Sequence, residues 1–386
     1  ATVEKVEHSP TLAWVYASPD PPELAWEGPR STPIEGKVMR HRVDFDRAMS
    51  AVSVGGRVYF GSSVDHRLHC LDAATGETLW TFGSDGAIRL APTVWEGHVL
   101  FGSDDGHVYC LDTNGKLLWK LQVGKNDERL LARGRMISRW PVRTGVLVDQ
   151  VLAYFGAGVF PHENIYLYCV DASSGKVVWK NDHLSQHDAG RNPLSPQGYL
   201  LCNDDQLFIP SGRALPAAFD KRTGEEDYQR THSWRSTAGG VVGGWKALLA
   251  DNQLYSAGAE HFLALDQKTG SVGYAWIQGY QLTLSDEKGF VADGKQIAGM
   301  DREAHVKATR VRQQLTQQRY SLQRKRSSMK PAEYRDQVDA LNEKIQELDR
   351  VGVTWSVKSP LSSSLIVAGN MVLAGGEGQV AGLSVI

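Results

Sequence analysis

Short alternating runs of apolar and polar residues, separated by glycine-rich turns, recur along most of this chain. In residues 57–82, RVYFGSSVDHRLHCLDAATGETLWTF, two such runs lead to Asp72, with Gly76 four residues on and Trp80 eight residues on. Alternation over five to eight positions, bounded by Gly, Asp, Asn and Ser, is typical of half-buried β-strands joined by hairpins. The pattern therefore predicts two strands, a tight turn and a following aromatic residue as one structural unit.

The same unit returns four more times, each time with an Asp, a Gly and an aromatic residue. The further copies contain Asp112, Gly115 and Trp119; Asp171, Gly175 and Trp179; Asp220, Gly224 and Tyr228; and Asp266, Gly270 and Tyr274. Successive Asp residues are 40, 59, 49 and 46 residues apart, which fits propeller blades, whose period is roughly 40 to 50 residues. We therefore predict an all-β fold, a β-propeller of seven or eight four-stranded antiparallel blades.

The conserved spacing of the turn has a physical explanation. An Asp side chain can accept hydrogen bonds from backbone amides of the turn, and glycine adopts a positive φ angle at little cost. The aromatic residue would fill the gap against the next blade, because one thin sheet cannot bury both of its faces. The docking residues predicted in this way are Trp80, Trp119, Trp179, Tyr228 and Tyr274.

The segment YCVDASSGKVVW fits the pattern YxLDxxTGxxxW and resembles the tryptophan-docking repeat of the PQQ-like, quinoprotein-type β-propellers. That superfamily includes quinoprotein alcohol dehydrogenases and the non-enzymatic outer-membrane assembly lipoprotein BamB. The resemblance implies a propeller over residues 46–386 and favours a periplasmic or other extracytoplasmic location. It does not choose between a catalyst and a binding protein, because one fold hosts different sites.

The two ends of the chain lie outside the repeat. Residues 1–45 have no repeat register, but TLAWVYAS at 11–18 is a short apolar segment followed by a proline-rich loop. We expect this segment to be a ring-closing strand, with Trp14 as the docking residue that the C-terminal blade lacks. The alternative is a chain that stops mid-repeat, with blades or another domain missing. The start, ATVEKVEHSP, does not resemble a secretory signal, so we expect a mature product, a trimmed chain or a cytoplasmic protein.

A helical insertion is predicted in blade six. Asp301 stands in the turn register, but residues 302–350 follow it with helical periodicity before Trp355 appears. We predict an antiparallel helical hairpin inserted into the blade turn, with Trp355 as the displaced docking residue and Pro331 in the first turn of the second helix. The predicted apolar seam, spaced as in a coiled coil, consists of Ala308, Val311, Leu315 and Leu322, and of Tyr334, Val338, Leu341, Ile345 and Leu348.

Charge separates the two predicted helices. The basic residues of the first are Arg310, Arg312, Arg319, Arg324, Lys325 and Arg326, and the acidic residues of the second are Glu333, Asp336, Asp339, Glu343 and Glu347. Mutual ion pairing across the hairpin is the simplest interpretation, and a projecting arm that binds a partner is the next. Nucleic acid is not expected as a partner, because the acids oppose the basic field and the chain has 42 Lys and Arg against 44 Asp and Glu.

Composition narrows the remaining possibilities. The 386 residues include 41% hydrophobic residues and 39 glycines, as suits a turn-rich β protein, and no apolar run approaches a membrane span. Cys70, Cys110 and Cys169 share one repeat position, two residues before the turn Asp, and Cys202 lies in another strand. We expect the shared position to be a packing position, because free Cys behaves as a small buried hydrophobe. No CxxC motif or adjacent Cys pair supports a redox or metal site.

A ligand site is predicted at the axis, where the innermost strands meet. The repeat register places Arg89, Arg143 and Gln197 there, and Arg139, Trp140 and Trp245 are neighbouring candidates. Guanidinium groups that converge on one mouth would bind a carboxylate, a phosphate or an acidic peptide. The alternative is that these polar residues bind one another and water. His183 and His187 have i, i+4 spacing but lie in loop-like sequence, so no metal site is expected.

We therefore expect a non-catalytic scaffold that binds a protein or a small anionic ligand through the Arg-rich mouth and the helical arm, without a cofactor. The alternative, a quinoprotein oxidoreductase using PQQ and calcium, is implied only by the resemblance. Such enzymes carry a vicinal disulfide, a calcium site, a catalytic Asp and a Trp floor for the quinone, for which only Trp140 or Trp245 is offered here. RWPVRTGVLV, SPQGYLL and the helical insertion also resemble large bacterial proteins that join such a propeller to a methyltransferase domain.

Overall fold

The computed structural model describes residues 11–21, 50–132, 134–159, 163–184, 194–211, 215–229, 246–257, 261–348, 350–376 and 378–384, with the backbone alone for residues 272–276. These residues form a seven-bladed β-propeller, in which six blades have four antiparallel strands and the last has three. The predicted fold class is confirmed, with seven blades among the described residues. The chain divides into two compact units, Leu12–Ala247 and a second that contains Leu248–Ile386.

Blades one to four each contain four consecutive strands, hydrogen-bonded in sequence order. Blade one consists of β1 (Ala51–Val54), β2 (Arg57–Gly61), β3 (Arg67–Asp72) and β4 (Thr78–Gly83), and blade two of β5 (Thr93–Trp95), β6 (His98–Gly102), β7 (His107–Asp112) and β8 (Leu117–Gln122). A two-stranded ribbon, β9 (Arg129–Ala132) and β10 (Arg135–Ser138), follows blade two. Blade three consists of β11 (Leu147–Asp149), β12 (Leu152–Ala157), β13 (Tyr166–Asp171) and β14 (Val177–Asn181), and blade four of β15 (Leu201–Cys202), β16 (Gln206–Ile209), β17 (Ala217–Asp220) and β18 (Glu226–Tyr228).

Blades five to seven continue the same order, and two helices interrupt blade six. Blade five consists of β19 (Ala247–Ala250), β20 (Gln253–Ala257), β21 (His261–Asp266) and β22 (Val272–Gln278). Blade six consists of β23 (Gln281–Ser285), β24 (Lys288–Ala292), β25 (Gln296–Asp301) and β26 (Val353–Lys358), with α1 (Arg302–Arg324) and α2 (Pro331–Leu348) between its last two strands. Blade seven consists of β27 (Ser364–Ala368), β28 (Met371–Gly376) and β29 (Gln379–Ser384).

Each repeat turn is closed by two contacts of its Asp residue. Oδ1 of Asp72 accepts a hydrogen bond from the Thr75 amide at 2.9 Å, and the Asp72 amide donates to the Glu77 carbonyl at 2.8 Å. Asp171, Asp220 and Asp266 make the equivalent contacts at 2.8 to 3.0 Å. The turn geometry predicted from the sequence is thereby confirmed.

The helical insertion uses this same turn. Oδ1 of Asp301 accepts from the Ala304 amide at 2.8 Å, and the Asp301 amide donates to the Gly352 carbonyl at 2.7 Å. A helix N-cap and the repeat turn both need a side-chain oxygen that binds an amide three residues on, so a helix can begin where the turn began. Gly352 takes the place of Glu77, and Trp355 follows it by three residues, as Trp80 follows Glu77. The predicted hairpin and its position are confirmed.

The tryptophans after the turns dock on the turn glycines of the following blade. The indole nitrogens of Trp80, Trp119 and Trp179 donate to the carbonyls of Thr113, Ala172 and Lys221 at 2.9, 3.1 and 3.2 Å. A Cβ atom added to Gly115, Gly175 or Gly224 would lie 2.8, 2.7 or 2.5 Å from the corresponding ring. These glycines also have φ angles of 70° to 83°. Glycine is therefore required twice over, by its backbone conformation and by the ring above it.

The N-terminal segment was predicted only in part. Residues 11–18 form no strand, so the expected ring-closing strand is wrong for these residues. Trp14 nevertheless docks on blade one: its indole nitrogen donates to the Ala73 carbonyl at 3.0 Å, and its ring covers Gly76. An aromatic residue can make this contact from an extended segment, because docking needs the ring and one N–H donor rather than a strand ladder.

The three remaining docking predictions have different outcomes. Tyr228 is buried and lies opposite Ala218, in the register of the tryptophans. In blade five, Ala275 lies opposite Ala264, so Tyr274 falls in the strand bulge rather than in the docking register, and its side chain lies outside the described residues. Trp355 lies opposite Gly299 and 6.0 Å from the ring of Phe290, beside an apolar cluster that blade six shares with blade seven.

The predicted packing position of the cysteines is confirmed. Cys70, Cys110 and Cys169 are fully buried, each as a free thiol. Burial raises the pKa of Cys110 to about 12 and that of Cys169 to about 11. These thiols are therefore protonated near neutral pH and fill space between sheets.

Candidate functional site

Two arginines that the sequence places at the axis do lie together, on the segments that lead into β5 and β11. Nε of Arg89 donates to Oδ2 of Asp104 at 2.7 Å, and Nε and Nη2 of Arg143 donate to Oδ1 and Oδ2 of the same carboxylate at 2.9 and 3.1 Å. The Asp104 side chain is fully buried, and those of Arg89 and Arg143 are 10% and 4% exposed. One internal carboxylate thus binds both guanidinium groups.

The electrostatics of this cluster keep Asp104 ionised. Burial alone would raise the pKa of its carboxyl group, but the charges of Arg143 and Arg89 and their hydrogen bonds outweigh burial and lower that pKa. The sequence left two interpretations open for these arginines, a ligand-binding mouth or polar residues that bind one another. The contacts with Asp104 favour the second interpretation, and a ligand role for the arginines stays a prediction. The strand order could have predicted this contact, because the β6–β7 turn and the segment before β5 lie at the same end of an antiparallel sheet.

A neighbouring contact involves His66 and the ribbon. Nη1 of Arg135 lies 2.6 Å from Nε2 of His66 and donates to the carbonyls of Val64 and Ser63 at 3.1 and 3.3 Å. Burial lowers the pKa of His66, and the charge of Arg135 lowers it further. His66 therefore accepts from Arg135 as a neutral ring, and Arg135 fixes the ribbon to blade one.

Gln197 lies beside the arginine pair, as predicted. It is buried, its Nε2 donates to Oγ of Ser195 at 2.8 Å, and the next residue, Gly198, donates its amide to the Arg143 carbonyl at 3.0 Å. The structure therefore brings Arg89, Arg143 and Gln197 into one region, where internal contacts hold each side chain.

Arg139 and Trp140 do not join that region as ligand groups. Arg139 binds Glu128 at 2.7 Å and also binds Glu163. Trp140 is buried in the core between blades two and three, covers Gly124 and donates its indole N–H to the Glu163 carbonyl at 2.5 Å. The prediction of Trp140 as a channel residue is corrected, because its ring is a core group. Trp245 lies outside the described residues.

The β9–β10 ribbon carries an exposed apolar pair that the sequence analysis did not single out. Leu131 and Met136 lie directly opposite each other and are 71% and 50% exposed. The register that sets these two side chains opposite each other depends on the turn at Gly134 between β9 and β10. The ribbon therefore presents an exposed apolar pair on the unit Leu12–Ala247.

The helical arm, α1 with α2, is fixed at its base. Nε and Nη2 of Arg302 donate to the carboxylate of Asp251 at 2.7 and 3.0 Å, and Nη1 donates to the carbonyls of Ser285 and Lys288 at 2.7 and 2.9 Å. The Arg302 side chain is buried, and Val306 belongs to the apolar cluster of blades five and six. The first two turns of α1 are therefore part of the packed unit.

Beyond this base the arm is exposed. No side chain of α2 is buried, and the seam residues Leu315, Leu341 and Ile345 are only partly covered. Val311, predicted in the seam, is 46% exposed, and Tyr320 is 50% exposed. Arg319 Nη1 of α1 donates to Asn342 Oδ1 of α2 at 2.8 Å, and Arg326, in the turn after α1, lies 5.6 Å from the Tyr334 ring.

Among the described residues, the ion pairing predicted across the hairpin is not found for the acidic residues of α2. The described part of the chain gives no ion pair for Asp336, Asp339, Glu343 or Glu347, and Glu333 contacts only Gln337 of its own helix. On α1, Lys307 pairs with Glu303 of the same helix and Arg310 binds Gln253. The acidic residues of α2 therefore keep their charges at the surface.

Neither a metal-binding cluster nor a membrane-spanning helix is found among the described residues. Over the described residues, no group of three or more His, Cys, Asp or Glu side chains is placed to hold a metal ion. His183 is exposed and contacts Asp182, and His187 lies outside the described residues. Neither described helix has the length and apolar character needed to cross a membrane.

Comparison with protein families gives one match that spans most of the chain. The profile described as outer membrane protein assembly factor BamB matches residues 20–158 and 163–385. The chain belongs to the BamB family. The family assignment agrees with the tryptophan-docking turns, since these carry the resemblance to PQQ-like propellers in the sequence.

Curated relatives of this BamB-family chain include enzymes at low identity. Tetrathionate hydrolase of Acidithiobacillus ferrooxidans is 25% identical over 223 residues, which are 54% of this chain and 40% of the hydrolase. The dehydrogenase subunit of the quinone alcohol dehydrogenase of Gluconobacter oxydans is 29% identical over 129 residues, 30% of this chain and 16% of the subunit. The chain thus spans less than half the length of these relatives.

Solved structures show the same fold. BamB from Moraxella catarrhalis superposes with a TM-score of 0.52 at 14% identity, covering 83% of this chain and 78% of BamB. Quinohemoprotein alcohol dehydrogenase from Comamonas testosteroni superposes with a TM-score of 0.55 at 13% identity, covering 87% of this chain and 65% of the dehydrogenase. The family and its structural neighbours therefore include both non-enzymatic and enzymatic propellers.

The described residues do not fit a quinone at the positions considered. Trp140, offered as a floor for the ring, is buried under Gly124. The three cysteines of the repeat position lie in three different blades, where no two can form a vicinal disulfide. Arg89 and Arg143, which would suit the carboxylates of a quinone, bind Asp104.

Proposed function

We propose that this chain is a protein-binding propeller that acts without a cofactor, and that its helical arm is a principal binding surface. The observation that supports the proposal is the contrast along α1. Arg302 fixes its first two turns to blades five and six, whereas the rest of the arm is exposed and carries the acidic residues of α2 at its surface. The family description as an assembly factor agrees with a role in binding protein.

A fixed arm is well suited to binding. Association costs free energy when side chains and segments are immobilised at an interface, and a surface that is already ordered reduces that cost. The Arg302 contacts order the base of the arm, and the turn closed by Asp301 and Gly352 sets where both helices leave the blade. Exposed Tyr320 adds the kind of aromatic side chain that often dominates interface energetics.

The test is excision of the arm. Residues 302–351 are replaced by Ala-Ala-Thr-Gly, copied from residues 73–76, which leaves Asp301 and Gly352 separated as Asp72 and Glu77 are. We expect a folded propeller of lower stability, because the cluster around Val306 loses its cover. Proteins that co-purify with the intact chain from its source cells should be lost with the excised chain.

A matched variant keeps the arm and changes only its surface. Tyr320→Glu alters an exposed side chain far from the Arg302 contacts and should weaken the same associations without changing the unfolding temperature. An unchanged set of co-purifying proteins in the excised chain, with folding confirmed by circular dichroism, would count against the arm as a binding surface.

A second candidate is a quinone-dependent oxidoreductase, favoured by the 129-residue similarity to the Gluconobacter oxydans dehydrogenase subunit. Purified chain incubated with PQQ and calcium would then show a bound-quinone absorbance band and alcohol-dependent dye reduction. We expect neither signal, since Trp140 and the arginines are occupied by internal contacts. Either signal at stoichiometric quinone would favour the enzyme instead.

A further inference from the structure

We infer that blade one carries a binding site for an extended peptide with a Trp and a Tyr two residues apart, and that Trp14 and Tyr16 of this chain are its built-in occupants. A peptide of this pattern from another protein enters the site when the segment leaves it. The site lies on the unit Leu12–Ala247 and does not depend on the arm. The spacing of the docked rings, the surface beneath them and the way the segment is held support the inference.

The segment presents every second side chain to blade one. Trp14, Tyr16 and Ser18 are partly buried, whereas the residues between them are exposed. Val15, between the two rings, is 72% exposed. A period of two is that of extended backbone, whose successive side chains point to opposite sides. The segment is therefore bound in the way that recognition surfaces bind extended peptides, with a pocket for each alternate side chain.

The Trp14 ring occupies the repeat-turn pocket of blade one. Its indole nitrogen donates to the Ala73 carbonyl at 3.0 Å, and a Cβ atom added to Gly76 would lie 2.6 Å from the ring. The fourth strands of blades one to three fill the equivalent pockets of blades two to four with Trp80, Trp119 and Trp179. The pocket of blade one therefore recognises a flat ring and an N–H donor together, as the other three do.

The surface beneath Tyr16 is built by blade one itself. Phe60 of β2 and His69 of β3 lie opposite each other with their rings stacked at 4.8 Å, and Nε2 of His69 lies 2.9 Å from Oδ2 of Asp65. The Tyr16 ring packs against Phe60 at 4.9 Å and lies 5.9 Å from His69. Because strand pairing already orders these two rings, binding a peptide on them costs less free energy than binding on a surface that must first be ordered.

The segment is held by fewer contacts than the docking residues of the sheets. Trp80 lies on β4, which pairs with β3, so that undocking its ring would break a strand ladder. Residues 11–21 pair with no strand of the described chain, and their one hydrogen bond among the described residues is that of Trp14. Release of the segment therefore breaks ring contacts and a single hydrogen bond, which makes it a local opening of low free energy. A peptide with the same two rings restores contacts of the same kind.

The test measures, by fluorescence anisotropy, the binding of a labelled peptide of residues 11–18 to the full chain. Trp14→Ala with Tyr16→Ala empties the site. This open variant should bind the peptide at least about tenfold more tightly than the parent chain, in which the segment competes from the same molecule. The peptide with Trp14→Ala should bind the open variant at least about tenfold more weakly, because a buried aromatic anchor dominates such contacts. If the double variant does not fold, Tyr16→Ala alone should still bind the peptide more tightly than the parent chain does.

Two glycine variants, each made in the open variant, locate the site. Gly76→Ala places a methyl group where the indole ring lies and should weaken peptide binding at least about tenfold. Gly56→Ala is the matched control and should leave binding unchanged. Gly56 has a φ angle of 72° against 75° for Gly76, and apart from its chain neighbours its added Cβ meets no described atom within 4 Å.

Three results would overturn the inference. They are equal affinity of the peptide for the parent chain and for the variants that empty the site, equal affinity of the two peptides for the open variant, and equal binding by folded Gly76→Ala and Gly56→Ala chains. None of these results bears on the proposed function of the arm, because excision of residues 302–351 leaves blade one and residues 11–21 unchanged.

Discussion

The buried carboxylate of Asp104 gives the sharpest prediction about stability. Asp104→Asn keeps the shape of the side chain but removes the negative charge that binds Arg89 and Arg143, which are 10% and 4% exposed. The two buried guanidinium groups would then lose the charged partner that they share. Loss of one partner from a buried ion pair costs about 3 to 5 kcal/mol. We therefore expect the free energy of unfolding, measured by urea denaturation at pH 7, to fall by about that amount.

A matched control is Asp204→Asn, which removes a carboxylate from an exposed hairpin turn. It should change the free energy of unfolding by no more than about 0.5 kcal/mol.

The pH dependence supplies a second check. Because the pKa of Asp104 is lowered in the folded chain, its stabilisation is present above the unfolded pKa of about 3.9 and is lost as pH falls through the folded pKa. The gap between parent and Asp104→Asn should be full at pH 7 and shrink below about pH 4. If Asp104→Asn is as stable as Asp204→Asn at pH 7, the shared-carboxylate account is refuted.

Three further predictions concern the blade turns, the base of the arm and the thiols. Gly175→Ala forces a methyl group to 2.7 Å from the Trp119 ring, whereas Gly134 has a similar φ angle and open space around it. Thermal unfolding should show that the free energy of unfolding falls by about 2 to 4 kcal/mol for Gly175→Ala and by about 1 kcal/mol for Gly134→Ala. Equal decreases would contradict the docking geometry. Arg302→Met should speed amide hydrogen exchange in the first two turns of α1, because Asp251 loses its partner. Arg324→Met, at an exposed position, should leave that exchange unchanged. Equal exchange rates in the two variants would refute the anchoring role of Arg302. A thiol reagent at pH 8 should modify at most Cys202 in the native chain, because the other three thiols are buried, and it should modify all four cysteines in denaturant. Rapid modification of two or more cysteines in the native chain would disprove the packing role.

Much of the fold could be predicted because its signals are local. The Asp, the Gly and the aromatic residue of each turn lie within nine residues of one another, and the Asp72 and Asp301 turns differ only in what connects their two ends. The position of the helical insertion therefore followed from the missing Trp. In blade five the bulge holds one residue more than that of blade one, so Ala275 rather than Tyr274 lies in the docking register.

Less of the candidate site could be predicted, because its partners are distant in sequence. The repeat register in the sequence placed Arg89 and Arg143 together, but their contact with Asp104 depends on the position of the β6–β7 turn of blade two. Trp140 was a candidate ligand-binding residue, but in the structure its ring packs against residues of blade three and donates its indole N–H to the Glu163 carbonyl. The charge of the arm was visible in the sequence, but the sequence did not show that, among the described residues, the acidic residues of α2 make no ion pair with α1.

The most direct measurement is site-specific photocrosslinking from the arm in intact source cells. A photoreactive residue replaces Tyr320, which is 50% exposed on α1, and a control replaces Val178, which is 56% exposed on β14. We expect a discrete protein adduct from position 320, identified by mass spectrometry, and none from position 178. Indistinguishable adduct patterns from the two positions would contradict the claim that the arm is a protein-binding surface.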